Sequence, residues 1–166
     1  MARLVLVVMG VAGSGKTTVG ARLAQSLGWA YADADSFHSP ESVAKMAAGQ
    51  PLSEQERGPW LRAIRAWIDE RVSQQEPGVV SCSALKRAYR DALRVPQVQF
   101  VYLRGGHAQI AERLATRVGH FFKPQLLDSQ FELLEEPDVD EQVITVSIDA
   151  SPSEIVAEIR ALAGLS

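Results

Sequence analysis

A continuous apolar run at residues 4–9 passes directly into a glycine-rich segment, residues 10–17, and then into a helical pattern. The length and β-branched content of the run predict a buried parallel strand. The glycine-rich segment reads Gly-Val-Ala-Gly-Ser-Gly-Lys-Thr and satisfies the pattern G-x-x-x-x-G-K-[ST]. Apolar residues from Val19 to Leu27 recur on one helical stripe, and Gly28 is predicted to end that helix. This order of strand, glycine turn and helix predicts a loop that binds phosphate.

The predicted phosphate-binding loop (P-loop) indicates a nucleotide ligand. Its backbone N–H groups and the positive end of the helix dipole form a cup for polyphosphate. Lys16 is expected to face solvent in the empty site and to act in catalysis at the β- and γ-phosphates, while the Thr17 hydroxyl would ligate Mg²⁺. A chance match would occur in on the order of one per cent of chains of this length. The loop residues predicted to contact the nucleotide are Gly10, Val11, Ala12, Gly13, Ser14, Gly15, Lys16, Thr17 and Thr18.

Composition narrows the class of protein and of partner. The 166 residues predict one domain, residues 1–166, with a substantial core. The net charge is −3 and no basic block occurs, which argues against nucleic acid or an anionic membrane as a partner. The longest apolar run is too short for a membrane span, and its start at Leu4 argues against a secretory signal. Cys82 is the only cysteine, which excludes an internal disulfide and favours a cytoplasmic location.

Strands and helices are predicted to alternate along the chain, which favours an α/β domain with a mainly parallel sheet. A short helix is predicted at 40–48. Ser53 and Glu56 form a capping box, and the helix that it opens has apolar residues at a 3.6-residue spacing. We interpret its indoles, Trp60 and Trp67, as core rather than as a ligand platform. The five predicted strands are residues 4–9, 29–32, 79–83, 98–103 and 143–148.

Asp33 and Asp35 follow the second predicted strand, at the carboxyl edge where ligands bind in open α/β sheets. Residues two apart on an extended segment point the same way, so both carboxylates are expected to face the γ-phosphate. Transfer of a phosphoryl group to an alcohol needs a carboxylate that accepts the hydroxyl proton and oxygens that hold Mg²⁺. The alternative is an Asp-rich turn exposed to solvent. Beside a P-loop, we favour the catalytic interpretation.

Two missing motifs narrow the class of nucleotide-binding protein further. No Asn-Lys-x-Asp guanine-reading segment occurs, and residues 81–83 are Ser-Cys-Ser where a Walker B acid would follow the third strand. Metal binding is therefore assigned to Thr17 and to the pair Asp33 and Asp35. These residues predict a small-molecule kinase. A nucleotide-switched binding protein without transfer activity is the competing hypothesis, although a switch needs no acceptor base.

The sequence resembles the gluconokinases, in the shikimate kinase-like branch of P-loop kinases, almost from end to end. The matching segments are residues 9–17, 33–38, 45–46, 49–52, 57–61, 82–91, 119–122 and 130–137. This ordered set is more specific than a P-loop alone. It implies a three-layer, nucleoside-monophosphate-kinase-like fold with a five-stranded parallel sheet of order 2-3-1-4-5 and a helical lid at about residues 113–124. It also implies ATP-dependent transfer to the 6-hydroxyl of D-gluconate, and a homodimer.

The resemblance further implies roles for single residues. Asp35 would activate the 6-hydroxyl, and Asp33 would hold the water shell of the metal or substrate hydroxyls. Arg57 is the first candidate for the substrate carboxylate, because a carboxylate suits a bidentate guanidinium. Ser42 stands where many relatives carry Asn, which shortens a side chain near the predicted pocket. The residues that would surround the sugar acid are Asp33, Asp35, His38, Lys45, Arg57, Lys86 and Arg90, with His120 reaching it when the lid closes.

The lid and the last loop supply the remaining candidates. Arg113 and Arg117 would approach the nucleotide, and Arg117 is the better candidate for contact with the transferring phosphate, which would make it catalytic. By fold analogy alone, the loop before the last helix would border the adenine through Pro152. Within kinases, the alternative is phosphorylation of shikimate or of another small polyhydroxy acid.

Overall fold

The computed structural model describes residues 5–116 and 124–165. Its five strands form one parallel sheet in the order β2-β3-β1-β4-β5, which confirms the order that the resemblance implies. The strands are β1 (Val5–Met9), β2 (Ala30–Asp33), β3 (Gly78–Ser81), β4 (Val98–Arg104) and β5 (Ile144–Ser147).

β1 lies at the centre of the sheet and is buried on both faces, which explains its unbroken apolar sequence. Val5, Val7 and Met9 contribute to the core on one face. Leu6 and Val8 contribute to the core on the other face. Both faces of the sheet are therefore covered, and the fold has the three layers that were predicted.

The part of the chain that the structure describes contains seven α-helices, and several of them pack against the sheet. α1 and α7 supply Leu23 and Ile159 to the core that contains Leu6. α3 supplies Ile64 and Ile68 to the core on the opposite face. The helices are α1 (Lys16–Leu27), α2 (Pro40–Ala47), α3 (Glu54–Ser73), α4 (Arg87–Leu93), α5 (His107–Ala115), α6 (Pro124–Leu133) and α7 (Pro152–Leu162).

The predicted capping box at the start of α3 is present. The Ser53 hydroxyl accepts a hydrogen bond from the backbone N–H of Glu56 at 3.2 Å, and Glu56 Oε1 accepts one from the backbone N–H of Ser53 at 2.8 Å. Such reciprocal bonds satisfy donors that a helix start otherwise leaves unpaired. They define where α3 begins, and hence where Arg57, in its first turn, projects.

Two predicted strands have different bounds in the structure. β2 is shifted by one residue to end at Asp33, and β3 ends at Ser81 rather than at residue 83. Asp33 and Ser81 are partners in the last register pair of these two strands. The Cys82 N–H still donates to the Val8 carbonyl at 2.9 Å, after which the chain leaves the sheet towards the P-loop.

The predicted lid falls mostly outside the described residues, because α5 ends at Ala115 and α6 begins at Pro124. Arg117 and His120 lie outside the described residues, and their roles stay predictions. Among the described helices, none combines the length and the apolar character that a membrane crossing needs.

Candidate active site

The P-loop joins β1 to α1, and its glycines are required by its shape. Gly13 has a φ of +81°, and a Cβ there would lie 2.9 Å from Leu114 Cγ in α5. Gly15 precedes α1 with a φ of +94° and has no side chain to cap the helix. The N–H groups at the start of α1 are therefore open to an anion. This geometry supports the predicted phosphate cup.

Lys16 and Thr17 begin α1 beneath the loop. Lys16 is only 8% exposed and lines a cavity, so the expectation that it faces solvent is wrong. The Thr17 hydroxyl donates to Asp33 Oδ2 at 3.1 Å. The structure thus brings together the two oxygen-bearing residues that were predicted to serve the metal.

Asp33 and Asp35 do not share one extended segment. β2 ends at Asp33, and residues Ala34–Phe37 form a 3₁₀ turn that Asp33 caps by accepting the Asp35 N–H at 3.0 Å. The turn separates the two carboxylates. Asp33 bonds to Thr17, whereas Asp35 lines the large cavity beside the loop. The prediction that both lie on one extended segment is therefore wrong, while both residues remain next to the P-loop.

The large cavity, which we call the acceptor cavity, has a volume of about 400 Å³. This volume falls within the usual range for small-molecule sites. Its walls come from the P-loop, α2, α3, the segment after β3 and α6. Its polar lining residues are Lys16, Thr17, Asp35, His38, Arg57, Ser83, Tyr89, Ser129 and Gln130. A cavity of this size with several hydrogen-bonding groups suits a small polar molecule.

His38 and Trp60 form one wall of the acceptor cavity. Their rings are stacked, with centroids 4.6 Å apart and planes 10° apart. Trp60 is 5% exposed and its indole N–H donates to the Ala34 carbonyl at 2.7 Å, so it belongs both to the core and to the cavity wall. Burial lowers the pKa of His38, against the opposing effect of Asp35. Within the described residues, its buried Nδ1 has no hydrogen-bond partner, which leaves it available to a ligand.

Arg57 lies on the cavity lining, whereas the two predicted lysines do not. Lys45 pairs with Glu56 at 2.7 Å, and Lys86 lies 3.5 Å from a carboxylate oxygen of Glu54. Arg57 is the better placed of the three cations for a ligand, because its side chain is mostly buried and borders the cavity.

Arg90 was predicted to surround the substrate, and the structure corrects this. Its side chain is fully buried, and Nε and Nη2 donate to the Glu141 carboxylate at 2.7 and 3.1 Å. Nη1 donates to the carbonyls of Ala84 and Leu85 at 3.0 and 3.1 Å. The guanidinium therefore holds the segment after β3, which includes the lining residue Leu85, and it does not reach the cavity itself.

A second cavity of about 240 Å³ lies on the other side of the P-loop. It brings together predicted nucleotide contacts from distant parts of the chain, with Thr18, Arg113 and Pro152 on one lining. The Arg113 guanidinium is anchored by a 2.7 Å bond to the Ile148 carbonyl. Gly13 lines both cavities. A nucleotide in the second cavity would therefore direct its phosphates towards the acceptor cavity.

Three functional candidates were missed by the sequence reasoning. Gln130 Oε1 accepts the Ala12 N–H at 2.6 Å and so ties α6 to the P-loop. Tyr89 and Ser83 line the acceptor cavity. Ser83 and Tyr89 fall in the matching block 82–91 and Gln130 in the block 130–137, which is the one signal that could have singled them out.

Ser81 ends β3, the strand after which a Walker B acid would be expected. Its hydroxyl donates to the Lys16 carbonyl at 2.7 Å and accepts from the Tyr31 hydroxyl at 2.9 Å. A Cβ on Gly20 would lie 2.2 Å from the Ser81 hydroxyl oxygen. This position therefore fixes the start of α1 against the sheet.

A P-loop that lies between two cavities, one of them lined by a carboxylate and an arginine, defines a P-loop kinase that acts on a small molecule.

The family model for shikimate kinase matches residues 12–161. A gluconokinase of Gluconobacter oxydans (strain 621H) is 44% identical, over 93% of this chain and 88% of that protein. Among solved structures, a sugar kinase from Janibacter sp. HTCC2649 superposes with a TM-score of 0.93 at 40% identity, covering 100% and 96% of the two chains. A gluconokinase from Sinorhizobium meliloti 1021 superposes with a TM-score of 0.86 at 43% sequence identity, covering 98% of this chain and 93% of that chain. The chain belongs to the gluconokinases of the shikimate kinase family.

Proposed function

We propose that the protein transfers the γ-phosphoryl group of ATP to the 6-hydroxyl of D-gluconate, giving 6-phospho-D-gluconate and ADP. The observation that carries this proposal is the acceptor cavity, where Lys16, Asp35 and Arg57 share one lining beside the P-loop. The similarity to gluconokinases supports gluconate as the acceptor. An acyclic polyol that ends in a carboxylate needs one cation and several hydrogen-bonding groups, and this cavity offers both.

Asp35 is the proposed general base. As the hydroxyl oxygen attacks the γ-phosphorus, its O–H bond breaks and Asp35 accepts the proton, while the bond from phosphorus to the β–γ bridging oxygen breaks and ADP leaves. Lys16 at the base of the P-loop offsets the charge that develops on the phosphoryl oxygens. Arg113 is proposed to contact the nucleotide, and Arg117 and His120 to complete the site from the lid.

Thr17 and Asp33 are the residues proposed to hold Mg²⁺. Their side-chain oxygens lie 3.1 Å apart, and two oxygen donors suit this ion, which usually keeps several waters and binds substrate phosphates. Thr17 and Asp33 would hold the ion, which when bound would supply positive charge that offsets the charge of the phosphates. Asp33 therefore has a proposed role at the metal, whereas Asp35 is the proposed base.

One property of the whole protein is proposed from the resemblance, and a second from the cysteine content. We propose a homodimer, which light scattering after gel filtration would measure. We propose a cytoplasmic location, because the sequence contains one cysteine, Cys82, and therefore no internal disulfide.

The product of the reaction tests the proposed function. We expect ³¹P and ¹³C spectra of a mixture with ATP, Mg²⁺ and D-gluconate to show one phosphate ester, on C6. Lys16→Ala should abolish product formation while its circular dichroism spectrum stays unchanged, because the lost charge acts at the phosphates. A phosphate on another carbon, or wild-type turnover by Lys16→Ala, would reject the assignment.

A further inference from the structure

A carboxylate of the protein itself is bound at the edge of the acceptor cavity. The Tyr89 hydroxyl donates to Glu54 Oε1 at 2.6 Å. Arg57 Nη1 lies 3.6 Å from the same oxygen, and Lys86 Nζ lies 3.5 Å from it. Glu54 is thus surrounded by the kind of donors that would recognise the carboxylate of an acidic substrate.

The donors and the carboxylate differ in how firmly they are held. The Arg57 side chain is 14% exposed and Tyr89 is 4% exposed, and both line the acceptor cavity. The Glu54 side chain is 63% exposed, at the first residue of α3. The donors are therefore part of the wall, whereas the carboxylate can turn into solvent. Exposed ion pairs of this kind stabilise a protein little, so releasing Glu54 costs little.

Tyr89 is held so that its hydroxyl remains a donor beside Arg57. The Arg57 guanidinium and the Lys86 ammonium lie 5.8 and 5.9 Å from the Tyr89 ring centroid, and Arg57 Nη1 donates to the hydroxyl at 3.3 Å. Burial, aided by Glu54, raises the pKa of Tyr89 to about 12, so the hydroxyl keeps its proton at neutral pH. The hydrogen bond from Tyr89, with the two cations, lowers the pKa of Glu54, so its carboxylate is charged there.

We propose that Tyr89 and Arg57 form the pair that recognises the substrate carboxylate, and that Glu54 occupies this pair in the empty enzyme until the substrate displaces it. This inference rests on the proposed function, because it requires an acidic acceptor. One guanidinium and one phenol offer charge and hydrogen bonds to a single carboxylate.

The exchange makes Glu54 a competitor of the substrate carboxylate. A substrate carboxylate displaces Glu54 and replaces its interactions, whereas a neutral polyol leaves Glu54 in place. The internal carboxylate therefore lowers the affinity for the acid and leaves the affinity for neutral analogues unchanged.

Steady-state kinetics of two acceptors test the exchange. D-Gluconate is compared with D-glucitol, which has the same six-carbon chain without the carboxylate. Glu54→Gln should lower the KM for gluconate about twofold to fivefold, the range of an exposed ion pair, with kcat and the KM for ATP unchanged. Tyr89→Phe should raise the KM for gluconate about twofold to tenfold, because the hydrogen bond from Tyr89 to the enclosed substrate carboxylate is stronger than its bond to exposed Glu54, which is lost as well. Both variants should leave kcat/KM for glucitol within about twofold.

Glu76→Gln is the matched control. Glu76 pairs with Arg71 at 3.0 Å, the Arg71 side chain is 17% exposed, and its guanidinium lies 5.8 Å from the Trp67 ring. The arrangement therefore resembles that of Glu54, but neither residue lines the acceptor cavity or the second cavity. It should change no kinetic constant. An unchanged or raised KM for gluconate in Glu54→Gln would overturn the exchange, even if Tyr89→Phe failed to fold. If Tyr89→Phe lowered kcat/KM equally for gluconate and glucitol, the proposed role of Tyr89 and Arg57 in binding the substrate carboxylate would be rejected. No gluconate turnover by the wild type would reject the proposed function, and the exchange with it.

Discussion

Asp33 and Asp35 are two positions apart, yet they serve different parts of the site. Asp33 closes β2, caps the following turn and bonds to Thr17. Asp35, inside that turn, lines the acceptor cavity. One carboxylate is thus near the proposed metal and the other near the proposed acceptor, which is the division that phosphoryl transfer requires.

Exchanging each aspartate for asparagine tests this division. Asp35→Asn should lower kcat by roughly 10²- to 10⁴-fold, the usual share of a positioned base, with the KM for ATP little changed. Asp33→Asn should instead raise the Mg²⁺ concentration needed for half-maximal rate. A coupled assay of ADP release with a Mg²⁺ titration measures both effects. If Asp33→Asn removed the rate and Asp35→Asn were silent, the two roles would be reversed.

The contact between α6 and the P-loop joins two elements far apart in sequence. A backbone N–H only donates, so Gln130 must present its amide oxygen to Ala12. α6 directly follows the predicted lid. The hydrogen bond from Ala12 to Gln130 therefore fixes the position of the P-loop relative to the α6 wall of the acceptor cavity.

Gln130→Leu should destabilise the protein by about 1–3 kcal/mol, because it leaves the partly buried Ala12 N–H without its acceptor. Gln130→Glu keeps an acceptor and should be less destabilised, but its charge near the phosphates should raise the KM for ATP. Urea unfolding and initial rates separate the two effects. Equal stability of wild type and Gln130→Leu would show that the contact does not hold the loop.

Arg90 of α4 forms an ion pair with Glu141 of the 3₁₀ turn Val139–Glu141. The same guanidinium bonds to the segment that carries the cavity-lining residue Leu85. The Arg90 guanidinium lowers the pKa of Glu141 from 4.5 to about 2. A carboxylate whose pKa is lower in the folded state stabilises the fold above its unfolded pKa, and this stabilisation is lost as the pH falls from about 4.5 towards 2.

Glu141→Gln should therefore destabilise the protein by roughly 3 kcal/mol at pH 7, since it leaves Arg90 buried without its counter-charge. Below pH 4.5 the difference from wild type should shrink, because wild type loses the same interaction. Thermal unfolding at a series of pH values measures this. A constant difference between pH 7 and pH 3 would contradict the proposed cause.

Sequence predicted the features of this fold that local patterns encode. The apolar run of β1, the glycines of the P-loop and the capping box of α3 each follow from residues close together in the chain. The order of the strands was implied by the resemblance and is confirmed. The site was predicted less completely, because contacts such as that between Gln130 and Ala12 join residues far apart in the sequence, and no local pattern encodes them.

Arg90 shows why a predicted cation can be assigned the wrong role. Arg57, Lys86 and Arg90 have the same charge, and all three lie in segments that match the gluconokinases. Their roles differ because Glu141 and the carbonyls of residues 84 and 85 surround Arg90 in the fold, while Arg57 faces the cavity. Charge alone cannot distinguish a cation that supports the site from one that contacts the substrate.

The choice of acceptor tests the central claim about the whole molecule. The measurement is kcat/KM for D-gluconate, shikimate and D-glucose under one set of ATP and Mg²⁺ concentrations. The site hydrogen-bonds several hydroxyls and a carboxylate of the acceptor. When an analogue lacks these groups, polar groups of the site stay unpaired, and kcat/KM for the analogue can be lower by a factor of about 10⁴. We expect gluconate to exceed both others by about that factor, since glucose lacks the carboxylate and shikimate is cyclic. Equal values for gluconate and shikimate, or for gluconate and glucose, would contradict the acceptor assignment.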